Sequence, residues 1–168
     1  LPESYTFFFV QDIDINTLLE TKFRQIILNG RIVNDSMGAY IADTAVKTMV
    51  VAGQSPKKSK VVILGLTFKE NCPDTRNSKV EDIIKQLKTY DIDPVVVDPW
   101  ADEKDAFREY GVKLSELENV KNADCIIVAV AHDEFKKMSL DEIKALFKDC
   151  PDNEKVLLDV KGLYSVSD

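Results

Sequence analysis

The sequence predicts an α/β protein with a Rossmann-like parallel sheet, helices on both faces of that sheet, and a helical segment before it. Short apolar runs bounded by turn residues recur between residues 61 and 160, and such runs are typical of strands buried on both faces of a parallel sheet. Stretches with helical spacing of apolar residues separate these runs, which indicates βαβ units. A longer stretch with helical spacing precedes the first run, between residues 22 and 52.

The chain divides by composition into four segments. Residues 1–20 show no clear period and remain unassigned, whereas residues 21–52 are predicted to be helical. Two glycines are points where such a helix would bend or divide, Gly30 and Gly38. The turn-rich, basic segment GQSPKKSK (53–60) is predicted to be a linker, and residues 61–168 are predicted to form the α/β domain.

The elements of the α/β domain follow from local patterns. Four apolar runs are predicted to be strands, Val61–Leu66, Pro94–Asp98, Cys125–Ala131 and Val156–Val160. A helix is predicted to begin at Ser78, because Ser78 and Glu81 have the spacing of a capping box. Apolar residues then follow at helical steps from Val80 to Leu87. Further helical segments are predicted at 103–109, 115–121 and 140–147.

The composition excludes several classes of protein. The chain has 168 residues, of which 45% are hydrophobic and 30% charged, as in ordinary globular domains. A net charge of −7 without a basic run argues against a nucleic-acid-binding surface, and no apolar stretch is long enough to span a membrane. The three cysteines are too few and too scattered for a disulfide framework or a zinc site. We therefore expect no metal site, reduced thiols and a cytoplasmic location.

The segment between the first strand and the next helix holds the strongest candidate site. Ligands of open α/β sheets bind outside the carboxyl ends of the strands, where this segment carries Lys69, Asp74 and Arg76. Lys69 suits an anionic or hydroxyl-rich ligand. The planar guanidinium of Arg76, near a helix start, suits a phosphate or amide oxygen. The alternative for Arg76 is a structural ion pair with Asp74, two residues earlier.

Three other residues have both a structural and a functional interpretation. Asp98 ends the second strand, where an acid can bind a ribose, but the loop after the first strand lacks a G-x-G-x-x-G motif, so a structural role is favoured. His132, the only histidine, ends the third strand and is expected to be hydrogen-bonded in place rather than to contact a base. Lys161 follows the fourth strand, either as a ligand-binding residue or as an exposed lysine.

Five stretches of the chain resemble one enzyme family. The stretch LGLTFKENCPDTRNS (64–78) is similar to the opening of the C-terminal domain of the UDP-glucose/GDP-mannose dehydrogenases, with that family's Phe-Lys pair at Phe68 and Lys69 and its Arg at Arg76. Four further stretches fit the same pattern in the right order, NGRIVNDSMGAY (29–40), VVVDPWAD (95–102), IIVAVAHDEF (126–135) and LLDVKGLY (157–164). The resemblance covers residues 21–164.

The resemblance implies the C-terminal domain of an NAD-dependent nucleotide-sugar 6-dehydrogenase, which oxidises a UDP-sugar to a UDP-uronic acid and reduces two NAD. It implies that Phe68, Lys69 and Lys161 contact the UDP-sugar and that Arg76 contacts NAD. Lys161 lies where members acting on UDP-glucose often have Arg, so the chain resembles the UDP-N-acetyl-hexosamine branch more closely. Family members dimerise through a central helix, which implies a homodimer with residues 21–52 as the end of that helix.

The family's catalytic cysteine belongs to a Gly-rich motif further upstream, so no catalytic residue is expected in this chain, and the isolated chain is expected to be inactive. Cys72 lies between two cationic residues but is not expected to be the nucleophile. The alternative function is a non-enzymatic nucleotide-binding module that acts as a regulator. A flavodoxin-like receiver is disfavoured, because the first strand ends without acidic residues. The identity of the sugar stays open.

Overall fold

A computed structural model of the chain describes residues 20–164, so most of the unassigned segment 1–20 lies outside the described residues. In chain order the helices and strands are α1 (Glu20–Val51), β1 (Val61–Leu64), α2 (Val80–Thr89), β2 (Val95–Val97), α3 (Glu103–Tyr110), β3 (Cys125–Val128), α4 (Asp133–Lys136), α5 (Leu140–Lys144) and β4 (Val156–Asp159). Short 3-10 turns lie at Leu117–Asn119 and Asp152–Glu154. No helix among the described residues is long and apolar enough to cross a membrane.

The four strands form one parallel sheet in the order β2-β1-β3-β4. This arrangement confirms the predicted fold class, a Rossmann-like α/β sheet. Because β2 and β3 lie on opposite sides of β1, the chain leaves β1 in one direction and later returns on the other side. The carboxyl ends of β1 and β3 therefore flank a topological switch point, where open α/β sheets bind their ligands.

Alternate residues of β1 face opposite sides of the sheet, and both sides are covered. Val61 and Ile63 belong to one hydrophobic cluster, which also contains residues of α1 and α2. Val62 and Leu64 belong to a second cluster with Phe135 of α4 and with residues of α5. Because the residues on both faces of β1 are buried, its sequence is a continuous apolar run rather than an alternating one.

The predicted N-terminal helix is confirmed as α1, which continues without a break through both glycines. From Asp35 onward the helix belongs to the same compact unit as the sheet. A Cβ atom at Gly38 would lie 2.4 Å from the Cβ of Asp82 in α2. Gly38 is thus a site of close helix packing rather than a hinge, and an ion pair of 2.6 Å between Asp35 and Lys79 lies in the same region.

The predicted strands are longer than the observed ones, and for two of them the reason is local. The strand β1 ends at Leu64 because Gly65 turns the chain with a φ of +97°. The strand β2 begins after Pro94, whose nitrogen has no hydrogen to donate to the ladder. The other two strands end before their predicted residues, β3 at Val128 and β4 at Asp159.

The predicted capping box at Ser78 and Glu81 is wrong. The helix α2 begins at Val80, and the Ser78 hydroxyl accepts a hydrogen bond from the Val80 N–H at 3.2 Å. Glu81 instead pairs with Lys85 at 2.6 Å. The N–H of Ser78 already donates within the preceding loop, to the Thr75 carbonyl at 3.3 Å, so it is not free for a Glu81 carboxylate.

The later helices also differ from the predictions. The segment 103–109 is helical as predicted, whereas the segment 115–121 forms only the 3-10 turn Leu117–Asn119. The last predicted helix ends at Lys144, short of residue 147. A capping box is present at its start, where Ser139 and Glu142 satisfy each other's backbone N–H groups.

Candidate functional site

The loop between β1 and α2, residues 65–79, carries most of the predicted site residues and begins with a glycine that cannot be replaced without strain. A Cβ atom at Gly65 would lie 2.4 Å from the Cβ of Val130, which follows β3. The positive φ of Gly65 also lies in the region that favours glycine. This residue therefore lets the loop leave β1 close to the backbone that leaves β3.

The first part of this loop is bound by a buried carboxylate. One oxygen of Asp98, at the end of β2, accepts the N–H groups of Leu66 at 2.5 Å and Thr67 at 2.9 Å. The other oxygen accepts the N–H groups of Trp100 at 2.8 Å and Ala101 at 2.9 Å. Asp98 thus joins the loops that follow β1 and β2, in agreement with its predicted structural role.

Hydrogen bonding keeps the Asp98 carboxyl ionised despite its burial. Burial by itself would raise the pKa of Asp98, but the hydrogen bonds from His132 and from the backbone N–H groups outweigh it and lower the pKa to about 2. The side chains of Asp98 and His132 are both completely buried. The negative charge is therefore a fixed part of the fold above pH 4, not a group available to a ligand.

His132, at the start of α4, contacts the same loop through both ring nitrogens. Its Nδ1 accepts the N–H of Asn71 at 3.0 Å. Its Nε2 therefore carries the hydrogen and lies 3.1 Å from both Asp98 Oδ2 and Thr67 Oγ1. The Thr67 hydroxyl in turn donates to the carbonyl of Lys69 at 3.0 Å. His132 is hydrogen-bonded in place, as predicted, but its link to the candidate loop was missed.

The second part of the loop is tied to itself and to α3. The Phe68 N–H donates to the Asp74 carbonyl at 2.8 Å, which closes the loop across its base. The Thr75 hydroxyl donates to the Glu109 carboxylate at 2.8 Å, and the hydroxyl of Tyr110 donates to the Thr75 carbonyl. Anchoring at both ends makes this loop a suitable platform for a ligand, because little order remains to be gained on binding.

Lys69 and Phe68 lie exposed on this anchored loop. The Lys69 Nζ lies 5.4 Å from the centre of the Phe68 ring, a cation–π contact that leaves its hydrogen-bond donors open to solvent. No carboxylate in the described part of the chain lies within ion-pair distance of Lys69. The ammonium group can therefore meet an anionic ligand without giving up an internal partner.

Arg76, unlike Lys69, already has an ion-pair partner within the loop. Its Nε and one terminal nitrogen each donate to a carboxylate oxygen of Asp74 at 2.9 Å, and its backbone N–H donates to Asp74 at 3.1 Å. These hydrogen bonds from Arg76 lower the pKa of Asp74 to about 2 and raise the pKa of Arg76. The guanidinium is 74% exposed, so its remaining donors point to solvent while Asp74 fixes its orientation.

Lys161 lies on the tight turn after β4. Because the strands are parallel, this turn is at the same end of the sheet as the loop after β1. Asp159 accepts the N–H of Lys161 at 3.1 Å and that of Tyr164 at 2.8 Å, and Gly162 has a φ of +66°. The Tyr164 hydroxyl donates to the Phe135 carbonyl at 3.1 Å. This turn presents the exposed side chain of Lys161 from an ordered backbone.

A cavity of about 400 Å³ lies at the β2 edge of the sheet, and its lining includes none of the predicted site residues. Four glutamates line it, Glu103, Glu116, Glu118 and Glu134. Like charges of this kind disfavour a phosphorylated ligand. On chemical grounds, therefore, Lys69, Arg76 and Lys161 remain the candidate site rather than this cavity.

The described residues contain no alternative chemical centre. The three cysteines all lie in the described part of the chain and are not joined by a disulfide, and burial raises the pKa of the Cys125 thiol. Cys72 is half-buried in the loop. Among the residues whose side chains are described, Gly30 and 35–164, no group of three or more His, Cys, Asp or Glu residues could hold a metal ion.

A profile described as the UDP binding domain of the UDP-glucose/GDP-mannose dehydrogenase family matches residues 62–166. The chain belongs to this family. The match begins within β1 and includes the anchored loop and the Lys161 turn.

Two members of the UDP-glucose/GDP-mannose dehydrogenase family show which branch of the family the chain resembles. The UDP-N-acetyl-D-glucosamine 6-dehydrogenases of Salmonella typhi and Pseudomonas aeruginosa are 42% and 45% identical to the chain, over 140 and 139 residues. Each alignment covers 83% of this chain but 32% of the relative. These names agree with the predicted similarity to the UDP-N-acetyl-hexosamine branch. The chain spans about a third of the length of these curated relatives.

The solved structures agree on the fold. The NDP-N-acetyl-D-galactosaminuronic acid dehydrogenase from Methanosarcina mazei Go1 matches with a TM-score of 0.65 and 26% identity. The match covers 82% of this chain and 27% of that protein. The Rossmann-like sheet is therefore shared with solved members of the family.

Proposed function

We propose that the chain is the C-terminal domain of an NAD-dependent nucleotide-sugar 6-dehydrogenase and binds the UDP part of a UDP-N-acetyl-hexosamine. The observation that carries the proposal is Lys69, an exposed cation without an ion-pair partner in the described chain, on an anchored loop beside the topological switch point. Family membership and the names of the relatives support the same substrate class. In this proposal residues 61–168 form the nucleotide-sugar-binding domain and residues 53–60 the linker before it.

The substrate residues of the proposal are Phe68, Lys69 and Lys161. Lys69 would pair with an anionic or hydroxyl group of the nucleotide sugar, since its donors face solvent. Phe68 would hold Lys69 in place and offer apolar surface to the ligand. Lys161 would add a second cation from the turn after β4, and a lysine there binds as a point charge rather than in the bidentate manner of an arginine.

The cofactor residue of the proposal is Arg76. Its chemistry fits a phosphate or amide oxygen of NAD, because the donors that Asp74 does not engage are exposed. Asp74 would keep the guanidinium in one orientation. When bound, NAD would supply the hydride acceptor for the oxidation, and two NAD would be reduced for each UDP-uronic acid formed.

The catalytic groups of the proposal belong to the rest of a longer enzyme, of which this chain would form one side of the cleft. The isolated chain is therefore expected to bind UDP-sugars weakly and to oxidise none of them. A homodimer through α1 is part of the same proposal, with α1 as the end of the family's central helix.

A chimera with one of the relatives tests the proposal. The matching third of the Pseudomonas aeruginosa UDP-N-acetyl-D-glucosamine 6-dehydrogenase would be replaced by this chain, and NAD reduction would be followed with UDP-N-acetylglucosamine. We expect turnover that Lys69→Ala lowers by roughly tenfold or more, since a charged hydrogen bond is lost. Lys113→Ala, which removes another exposed lysine, is the matched control and should leave turnover unchanged.

The alternative is a non-enzymatic nucleotide-binding module that acts as a regulator. It is compatible with the chemistry of the candidate site, where Lys69, Arg76 and Lys161 supply cations for a nucleotide but no nucleophile. A folded chimera that binds UDP but reduces no NAD would support this alternative and contradict the dehydrogenase proposal.

A further inference from the structure

One imidazole ring holds the backbone on both sides of the candidate substrate residue. Thr67 and Asn71 lie two residues before and two residues after Lys69. Thr67 contacts the Nε2 atom of His132 at 3.1 Å, and the N–H of Asn71 donates to the Nδ1 atom of the same ring at 3.0 Å. The Thr67 hydroxyl also donates to the Lys69 carbonyl at 3.0 Å. These three contacts constrain the backbone on either side of Lys69.

We propose that His132 is a positioning residue for the nucleotide site, which sets the place of Lys69 by accepting the Asn71 N–H at Nδ1. The inference rests on the proposed function for the identity of the ligand, whereas its geometric part stands on the free chain. His132 itself touches no ligand in this account, because its side chain is completely buried.

The hydrogen-bond geometry selects one tautomer of the neutral ring. Nδ1 accepts a backbone N–H and therefore carries no hydrogen, so the single hydrogen of the neutral ring lies on Nε2. Nε2 then donates toward Asp98 Oδ2, an ionised acceptor that orients the ring. Protonation of Nδ1 would place two N–H groups against each other and break the contact with Asn71.

The contact with Asn71 holds a backbone conformation that would otherwise be disfavoured. Asn71 has a φ of +53°, in the left-handed region that non-glycine residues adopt at a cost. Its N–H is held by His132, and its side-chain oxygen accepts the N–H of Asp133 at 3.0 Å. Both bonds attach the loop to the start of α4, so the loss of the His132 acceptor would free the backbone just after Lys69.

Asp98 would keep its backbone hydrogen-bond donors without His132. A substitution of His132 can therefore change the loop without leaving this carboxylate unpaired. Four backbone N–H groups already donate to Asp98. Two substitutions of His132 then divide the functions of the ring. The Oδ1 of His132→Asn can replace Nδ1 as the acceptor for Asn71, whereas the amide N–H of His132→Gln can replace Nε2 as the donor to Asp98 but leaves Asn71 without its acceptor.

The experiment measures amide hydrogen exchange at Asn71 by NMR in the full chain, together with the affinity for UDP. We expect the Asn71 amide to be protected in the wild type and in His132→Asn, and to exchange at least roughly tenfold faster in His132→Gln. We also expect His132→Gln to bind UDP roughly five- to tenfold more weakly than His132→Asn, the effect of one neutral hydrogen bond. Ile143→Val, a buried change in α5, controls for general destabilisation and should leave the Asn71 amide protected.

Equal Asn71 protection in His132→Asn and His132→Gln would overturn the proposal, and so would equal affinity of the two variants for UDP when the wild type binds it. If the variants do not fold, the nitrogen NMR spectrum of the wild-type ring decides it, since a hydrogen on Nδ1 would also overturn it and a hydrogen on Nε2 supports it. The expected exchange pattern without any binding of UDP to the wild type would support the positioning of the loop and contradict the proposed function.

Discussion

Lys69 and Arg76 lie on the same loop, but they are prepared for different interactions. Lys69 has no carboxylate within ion-pair distance in the described chain, whereas Arg76 already donates two side-chain hydrogen bonds to Asp74. A ligand of Arg76 must therefore share the guanidinium with Asp74. This difference predicts that the two residues contribute differently to substrate and cofactor binding.

The first prediction concerns the kinetics of a chimeric enzyme that contains this chain. We expect Arg76→Ala to raise the KM for NAD, and Lys69→Ala to act mainly on the nucleotide sugar and on kcat. Each loss should be roughly tenfold to hundredfold, as for one charged hydrogen bond. Steady-state kinetics with both ligands measure this division. Unchanged NAD kinetics in Arg76→Ala would mean that Arg76 is only the structural partner of Asp74.

The second prediction concerns the buried carboxylate of Asp98. Its pKa is about 2 in the folded chain and 3.8 when unperturbed, so the unfolded state takes up a proton at a higher pH than the folded state. Asp98 therefore stabilises the fold above pH 4, and this contribution, on the order of 2 kcal/mol, is lost as the pH falls toward 2.

Chemical denaturation at several pH values between 6 and 2.5 tests this prediction about Asp98. We expect the free energy of unfolding of Asp98→Asn to be lower at pH 6 and to depend less on pH than that of the wild type. Asp149→Asn, at an exposed position, is the control and should follow the wild-type curve. An Asp98→Asn variant with the wild-type pH dependence would contradict the assigned role.

The residue scale also shows what a sequence can and cannot predict about the site. Lys69 and Arg76 could be singled out as candidates because they follow an apolar run at the position where such sheets bind ligands. The contribution of His132 to the loop could not be located, because its contacts join it to Asn71 and Thr67, 61 and 65 residues away. No local pattern marks a hydrogen bond of that range.

At the scale of the elements, β1 and β3 were predicted in the right places because complete burial on both faces leaves an apolar run, and the partly buried β2 and β4 are also mainly apolar. Their ends were predicted less well, because a single residue can stop a strand inside an apolar run. Gly65, for example, turns the chain beside the backbone that follows β3, and Pro94 has no N–H to donate to the ladder. Neither feature interrupts the apolar pattern from which the strands were predicted.

The third prediction compares two glycines of α1. A Cβ at Gly38 would lie 2.4 Å from the Asp82 Cβ, whereas a Cβ at Gly30 meets nothing within 4 Å. We expect Gly38→Ala to lower the free energy of unfolding by roughly 1–3 kcal/mol through overpacking. Gly30→Ala should raise helix stability by up to about 1 kcal/mol, because alanine is the better helix former. Urea denaturation measures both, and a Gly38→Ala variant as stable as the wild type would contradict the close packing of α1 on α2.

At the scale of the whole molecule, the chain exposes apolar side chains on α1 that a partner could cover. Tyr40 and Val51 are 55% and 88% exposed, and their separation of eleven residues places them on one face of the helix. Exposed apolar residues of this kind favour association. The proposed dimer would use this face.

The fourth prediction is therefore at least partial self-association of the chain. Sedimentation over a range of concentrations should detect dimers, and Tyr40→Lys should reduce them by placing a charge in the proposed interface. Phe107→Lys is the matched control, because Phe107 is also an exposed aromatic residue, at 66%, but lies on α3 rather than on α1. A strictly monomeric wild type at high concentration would contradict the dimer proposal.

The most direct test of the account is a titration of the isotope-labelled chain with UDP, followed by amide NMR. We expect binding in the millimolar range, because the chain offers one side of the proposed cleft. The shifts should centre on Phe68, Lys69 and the Lys161 turn, Lys69→Ala should weaken them, and uridine, which lacks the phosphates, should cause none. Shifts confined to the glutamate-lined cavity at β2, or no shifts at millimolar UDP, would contradict the nucleotide site.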